Sequence, residues 1–209
     1  MGILSELVKK PWLAEQTVGN GLPDHLHDQG AFFLPAGKVG LRVFLVVVTV
    51  VFTLLVIGYA DRMTYSTWRS MPEPWILWLN TVVLILSSAA LQWARTNAGR
   101  DRIDGVKSGL YLSGVLTLVF LLGQLVAWRQ LYGLGYFAAA NSANAFFYLL
   151  TALHGLHLFG GLVALGRSTA RMWRGAAAVD LRLSVELCAA YWDYLLLVWL
   201  ILFGLLIFS

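Results

Sequence analysis

The sequence predicts an all-α fold, in which a bundle of five transmembrane helices has its N-terminus inside and its C-terminus outside. Three observations support this polytopic membrane class. The chain is 59% hydrophobic and only 12% charged, with a mean hydropathy of +0.72, and these values are far from those of a soluble domain. Five apolar runs have the length of about 20 residues that a spanning helix requires. The basic residues are concentrated in loops on one side of these runs, as expected for a multi-pass protein.

The chain divides into an N-terminal region, residues 1–40, and a membrane domain, residues 41–209. We predict that the first region is a cytoplasmic tail, and that residues 1–13, with apolar side chains at helical spacing, form a short helix in the membrane interface. Helices are predicted in the membrane domain because isolated spanning strands would leave backbone groups unpaired in lipid. The five spans are predicted at about 41–60, 74–94, 108–128, 143–166 and 184–208.

The distribution of Lys and Arg predicts the orientation. With the N-terminus inside, 12 of the 15 basic residues fall on the inner side, in agreement with the positive-inside rule. The net charge of +4 is therefore explained by topology, and nucleic acid is not implied as a partner. An odd number of spans places Ser209 outside. The inner basic residues are Lys9, Lys10, Lys38, Arg42, Arg95, Arg100, Arg102, Lys107, Arg167, Arg171, Arg174 and Arg182.

Four titratable residues lie within the last two spans. His154 and His157 are three residues apart, and Glu186 and Asp193 are seven apart, so each pair shares one face of its helix. A titratable group at membrane depth usually faces protein and has a partner, so we predict interior polar residues with a structural or proton-linked role. His157 and Asp193 each lie nine residues from the inner end of their span, or about 13 Å. We therefore predict that Asp193 contacts His157, or His154 one turn away.

Metal or haem ligation by this chain is disfavoured. A bis-histidine haem site takes its ligands from two facing helices, but no other span contains a histidine. A di-metal carboxylate site requires Glu side chains from several helices, and the first three spans contain none. His25 and His27 in the tail lack the further ligands of a structural metal site. We therefore predict no metal site.

Several residues of the last three spans match the pattern of one known family. They are Phe147, Tyr148, Leu149, Thr151, His154, Gly155, His157 and Gly161 in the fourth span, Glu186, Tyr191, Trp192, Val198 and Trp199 in the fifth, and Gln124 in the third. With these residues the chain resembles subunit III of the haem-copper respiratory oxidases, the cytochrome c oxidase subunit III-like family. The length corresponds to the short, five-helix bacterial form that lacks the first two helices of longer members.

The resemblance implies a non-catalytic accessory subunit of a haem-copper terminal oxidase in aerobic respiration, located in the bacterial cytoplasmic (inner) membrane. Members of this family form a helical bundle split by a lipid-filled cleft and bind beside catalytic subunit I. They stabilise that subunit, hold structural phospholipids and support proton uptake. The implied partners are subunit I, other oxidase subunits and phospholipids, with haem and copper in subunit I and none in this chain. A role at lipid headgroups is expected for Arg95, Arg100, Arg102, Arg171 and Arg174.

Some positions depart from the family pattern. Asp193 stands where His is usual, and Leu196 stands where an Asp is usual. These departures leave open an equivalent accessory subunit of a nitric oxide reductase-type enzyme. A small membrane redox protein would need haem ligands on separate helices. A transporter would tend to show inverted repeats or helices broken at the midplane, and no Pro lies within the last three spans.

Overall fold

A computed structural model of the chain describes residues 36–64, 75–174 and 178–208, with side chains from residue 182 in the last range. These ranges contain five helices, each long and apolar enough to cross a membrane, and they contain no strand. This confirms the all-α, five-helix fold class, whereas the side of the membrane on which each terminus lies stays a prediction. The helices are α1 (Ala36–Met63), α2 (Ile76–Gly99), α3 (Ile103–Gly133), α4 (Ser142–Trp173) and α5 (Ala178–Ile207).

The helices differ in length from the predicted spans. For example, α3 has 31 residues and α4 has 32, because apolar composition marks only the part that crosses hydrocarbon and a helix continues beyond it. The predicted interfacial helix at residues 1–13 and most of the loop between the first two spans, residues 65–74, lie outside the described ranges.

Helices α2 and α3 form an antiparallel hairpin with close backbone contact. A Cβ atom placed on Gly109 of α3 would lie 2.7 Å from the Cβ of Ala94 and 2.8 Å from the carbonyl oxygen of Ala90, both on α2. Gly123, also on α3, faces Asn80 in the same way. Small residues at a helix interface allow the backbones to approach closely, so these glycines determine the spacing of the hairpin.

Helix α5 packs antiparallel to α2 and also contacts α4. Its side chains Trp192 and Trp199 are fully buried. The Trp199 indole contacts the Phe120 ring of α3 at a centroid distance of 5.0 Å. Around these indoles, leucines from the four helices α2–α5 form the centre of the core, including Leu84, Leu110, Leu150 and Leu195.

Helix α1 lies further from the rest. None of its Cα atoms is within 8 Å of a Cα atom in another described helix. Phe44, Phe52 and Tyr59 instead bridge the space and contact rings of α4 and α5. The remaining surface of α1 is mostly exposed valine and leucine, such as Val46 and Leu54, as expected for a helix in lipid.

Candidate functional site

His154 of α4 is completely buried, and neither of its ring nitrogens has a hydrogen-bond partner among the described residues. Three aromatic rings from three other helices enclose it, with centroids 6.4 Å away for Phe52, 5.9 Å for Phe120 and 5.2 Å for Trp199. Its position is therefore fixed by ring packing. The prediction of an interior location agrees with the structure for this residue, and its proton-linked role stays a prediction.

His157 lies one turn further along α4 and is half-buried. Its Nδ1 donates a hydrogen bond to the carbonyl oxygen of Leu153 at 2.8 Å, so the ring is tied to its own helix. The Phe52 ring covers it at a centroid distance of 5.5 Å. The carbonyl oxygen of His157 accepts a hydrogen bond from the Tyr191 hydroxyl of α5 at 3.0 Å. This bond attaches α5 to α4. The predicted common level of His157 and Asp193 stays a prediction.

The predicted contact of Asp193 with the two histidines is wrong. The Asp193 carboxylate accepts hydrogen bonds from Ser88 Oγ and Gln92 Nε2 of α2, and its side chain is exposed at the surface of the described bundle, not interior as expected. The preceding residues on α5 explain this difference. Tyr191 and Trp192 occupy the directions toward α4 and the core. Residues next to one another differ by about 100° around the helix axis, so Asp193 points elsewhere.

Glu186 contacts α1. One of its carboxylate oxygens lies 3.0 Å from Lys38 Nζ, with both side chains partly exposed. A second polar contact between the same helices lies further along, where Thr49 Oγ1 and the Tyr194 hydroxyl are 2.8 Å apart. Both contacts attach α1 to α5. Glu186 and Asp193 therefore bond to different helices, α1 and α2.

The five arginines expected at lipid headgroups all have exposed side chains at one end of the bundle, which we call the basic end. They are Arg95 on α2, Arg100 and Arg102 after it, Arg171 on α4 and Arg174 after it. The sequence indicated no role for Arg182 beyond its place among the inner basic residues, but its side chain contacts the end of α2. Its guanidinium donates to the carbonyl oxygens of Ala98 and Gly99 and to the Asp101 carboxylate, so it caps the end of α2.

A buried polar cluster in the core was also missed. Trp192 Nε1 donates to Ser87 Oγ at 3.2 Å and to Thr117 Oγ1 at 3.1 Å. These two hydroxyls are 2.9 Å apart, and Ser113 lies beside them. About two turns further along α5, Trp199 Nε1 donates to Thr81 Oγ1 at 2.9 Å. The sequence does contain a signal for this cluster, because hydroxyl side chains lie in the middle of apolar spans. It does not show which helix each hydroxyl faces.

Two apolar grooves open on the surface of the bundle. One, of about 680 Å³, lies between α1, α4 and α5 and is lined by Phe44, His157 and Tyr191, among others. The other, of about 610 Å³, runs between α3 and α4 from Leu118 to Trp173 and Arg174 at the basic end. An elongated apolar groove that ends at a cation has the chemistry to hold an acyl chain and an anionic headgroup.

The described residues contain no group of three or more His, Cys, Asp or Glu side chains that could hold a metal ion. The polar groups instead bond helix to helix. The Trp192 cluster joins α2, α3 and α5, the Lys38 pair joins α1 and α5, and the Asp193 carboxylate joins α5 to α2. These polar contacts hold the helices of the bundle together.

A sequence model of one protein family matches this chain. The family is described as cytochrome c oxidase subunit III, and the match covers residues 70–208. These residues include α2 to α5, with both histidines, Glu186, Asp193 and the two buried tryptophans.

Similar proteins carry the corresponding name. Cytochrome c oxidase subunit 3 of Thermostichus vulcanus is 28% identical over 191 residues, which are 88% of this chain and 90% of that protein. Probable cytochrome c oxidase subunit 3 of Mycobacterium tuberculosis is 30% identical over 128 residues, or 61% of this chain and 63% of that protein. Cytochrome c oxidase subunit 3 of Marchantia polymorpha is 28% identical over 140 residues, 64% of this chain and 50% of that protein.

Proposed function

The chain belongs to the cytochrome c oxidase subunit III family, and from this premise we propose that it is the non-catalytic accessory subunit of a haem-copper terminal oxidase in aerobic respiration. The main structural observation in support is that residues of the family pattern make contacts between helices. His154 is enclosed by rings, and Trp192 and Trp199 bond to hydroxyls of neighbouring helices. Residues used in this way hold a bundle together, which suits a subunit with a structural role.

In this proposal haem and copper belong to the catalytic subunit, and this chain binds neither. Its own contribution is a rigid five-helix surface that stabilises the catalytic subunit in the bacterial cytoplasmic membrane. The buried side of α2, α3 and α5 supplies the rigidity, because its indole and hydroxyl groups are hydrogen-bonded to one another. A fully satisfied polar cluster in a core favours one arrangement of the helices over others.

Structural phospholipid is a second part of the proposal. The groove between α3 and α4 is lined by apolar side chains and ends at Trp173 and Arg174. Trp is typical of the headgroup level of a membrane, and an arginine there attracts an anionic phosphate. One acyl chain would lie along Leu118 and Leu162 with its phosphate at Arg174. Arg95, Arg100, Arg102 and Arg171 would contact further headgroups around the basic end.

Support of proton uptake on the inner side is the third part. The groups for it are the four titratable residues His154, His157, Glu186 and Asp193 of α4 and α5. Glu186 is the best placed of them because it is partly exposed and lies at the basic end, paired with Lys38. The acceptor of the complex, oxygen or nitric oxide, is a property of the catalytic subunit in this proposal.

The proposed function is tested by a reduced-minus-oxidised visible spectrum of the tagged chain. The chain is purified from its native membranes in mild detergent and again after a stripping detergent. Haem bands that co-purify in mild detergent and disappear on stripping are expected. Bands that stay with the stripped chain would make it a redox protein itself. A colourless sample in both detergents would contradict membership of a haem enzyme and favour a transporter, to be tested by uptake in proteoliposomes.

A further inference from the structure

Asp193 occupies an unusual place for a carboxylate. It lies 11 residues from Arg182, whose guanidinium contacts the end of α2 at the basic end, and 14 from Ile207, the last residue of α5. At about 1.5 Å per residue it is roughly 16 Å and 21 Å from these two residues. It is therefore near the middle of the bilayer. Its side chain is nevertheless exposed at the surface of the described bundle. In the isolated chain this surface would face hydrocarbon, where a carboxylate is strongly disfavoured.

The hydrogen bonds within the chain satisfy only part of this carboxylate. Ser88 and Gln92 each donate to one of its oxygens. A carboxylate accepts about four hydrogen bonds in all, so this group can accept about two more. No Lys, Arg or His among the described residues forms an ion pair with Asp193.

The surface next to Asp193 has the form of a helix-docking face. Ala190 precedes Asp193 by three residues on α5, and Ala89 precedes Gln92 by three on α2, and both alanines are exposed. The neighbouring exposed positions, Leu197 and Ile85, are apolar. Small residues around one hydrogen-bonding group are typical of helix association in membranes, because backbones approach closely and the polar group finds a partner.

We propose that the face formed by Ala89, Gln92, Ala190 and Asp193 docks a transmembrane helix of the catalytic subunit, which presents a cationic or hydrogen-bond-donating side chain to Asp193 at mid-bilayer depth. This proposal rests on the proposed function and adds the location of the interface. A second copy of this chain is disfavoured as the occupant, because a symmetric contact would place two Asp193 carboxylates together. A lipid headgroup lies too far from the middle of the bilayer to reach Asp193.

The first test compares variants of the tagged chain that are purified from native membranes in mild detergent. The measured quantity is haem per tagged chain. Asp193→Leu is expected to lower it about three- to twentyfold, the range of one interhelical hydrogen bond in a membrane, and Asp193→Asn by less. Ala190→Trp is expected to lower it similarly by blocking close approach. Leu122→Trp adds bulk at an exposed position of α3, and this control should match the wild type.

A second measurement does not depend on the folding of an Asp193 variant. A photo-reactive benzoylphenylalanine replaces Leu197, an exposed position beside the face, or, as the control, Leu122, in a chain that keeps Ala190 and Asp193. Irradiation of native membranes is expected to cross-link position 197 to the catalytic subunit, whereas position 122 should not cross-link to it. Cross-linking of position 197 to lipid alone or to a second copy of this chain would overturn the docking proposal.

The outcomes also separate the docking proposal from the proposed function. Wild-type haem content in Asp193→Leu, with haem present in the wild-type sample, contradicts the docking face and leaves the accessory role intact. Absence of haem from the wild-type sample contradicts the accessory role, and the docking face with it.

Discussion

Helix α1 and the α2–α3 hairpin are packed in opposite ways. In the hairpin, Gly109 meets Ala90 and Ala94 so closely that no further carbon atom fits between the backbones. In α1, the phenylalanine and tyrosine rings keep the backbone away from α4 and α5, and Gly40 has no atom within 4 Å of an added Cβ. Both α1 and the hairpin consist of apolar helices that are long enough to cross a membrane. The difference shows that side-chain size, rather than hydrophobicity, determines how closely the helices of this chain approach.

The largest effect is expected where the close packing is broken. Gly109→Leu adds a side chain where even a Cβ atom lies 2.7 Å from Ala94, so the helices must separate. We expect loss of the folded bundle or destabilisation by at least about 3 kcal/mol, the upper part of the range for overpacked cores. Thermal unfolding of the purified chain measures this. Gly40→Leu on α1 is the matched control and should unfold within a few degrees of the wild type, and equal effects of both substitutions would contradict the comparison.

A smaller effect is expected where the aromatic spacing of α1 is removed. Phe52→Ala deletes the ring that covers both His154 and His157. We expect it to cost less than the about 3–5 kcal/mol of a buried Phe in a well-packed core, because the backbone of α1 lies away from the other helices. Because α1 has few other contacts, the loss should be local. Hydrogen exchange is expected to accelerate in α1 and to stay unchanged in α2 and α3. Val46→Ala on the exposed side of α1 is the control, and faster exchange throughout the bundle would show that α1 is an integral part of the core.

The smallest effect is expected at the ion pair between α1 and α5. Lys38→Gln removes the partner of Glu186, and both side chains are partly exposed. Exposed ion pairs contribute about 0.2–1 kcal/mol, so we expect a decrease in melting temperature of only a few degrees, and less at high salt. Lys107→Gln on α3, for which the described residues show no ion pair, serves as the control. A large decrease for Lys38→Gln alone would mean that this pair, rather than the rings, holds α1.

The sequence was sufficient to predict the five helices, but not their rotation. The direction of Asp193 was predicted wrongly, because in lipid both the buried and the outer faces of a helix are apolar. The hydrophobic periodicity that indicates the buried face of a soluble helix is then weak. The sequence therefore does not show whether Trp192 or Asp193 points into the bundle.

The missed contacts have the same cause. Ser87, Ser113 and Thr117 are recognisable as hydroxyls in apolar spans, and Trp192 as a donor. These side chains meet only because particular faces of α2, α3 and α5 pack together. The local sequence does not show how the helices pack. Arg182 was counted only as an inner basic residue, since its bonds to Ala98 and Gly99 connect positions 83 and 84 residues apart in the chain.

The Ser87 cluster also affects the order in which the protein can be built. Ser87, Ser113 and Thr117 all lie in the α2–α3 hairpin and already bond to one another and to the Ser113 carbonyl oxygen. A ribosome completes this hairpin before it makes α5, and domains and their parts generally fold as they emerge. The hydroxyls thus have partners in the membrane before Trp192 has been synthesised. Helix α5 then completes the bundle by adding its indole to hydroxyls that already have partners within the hairpin.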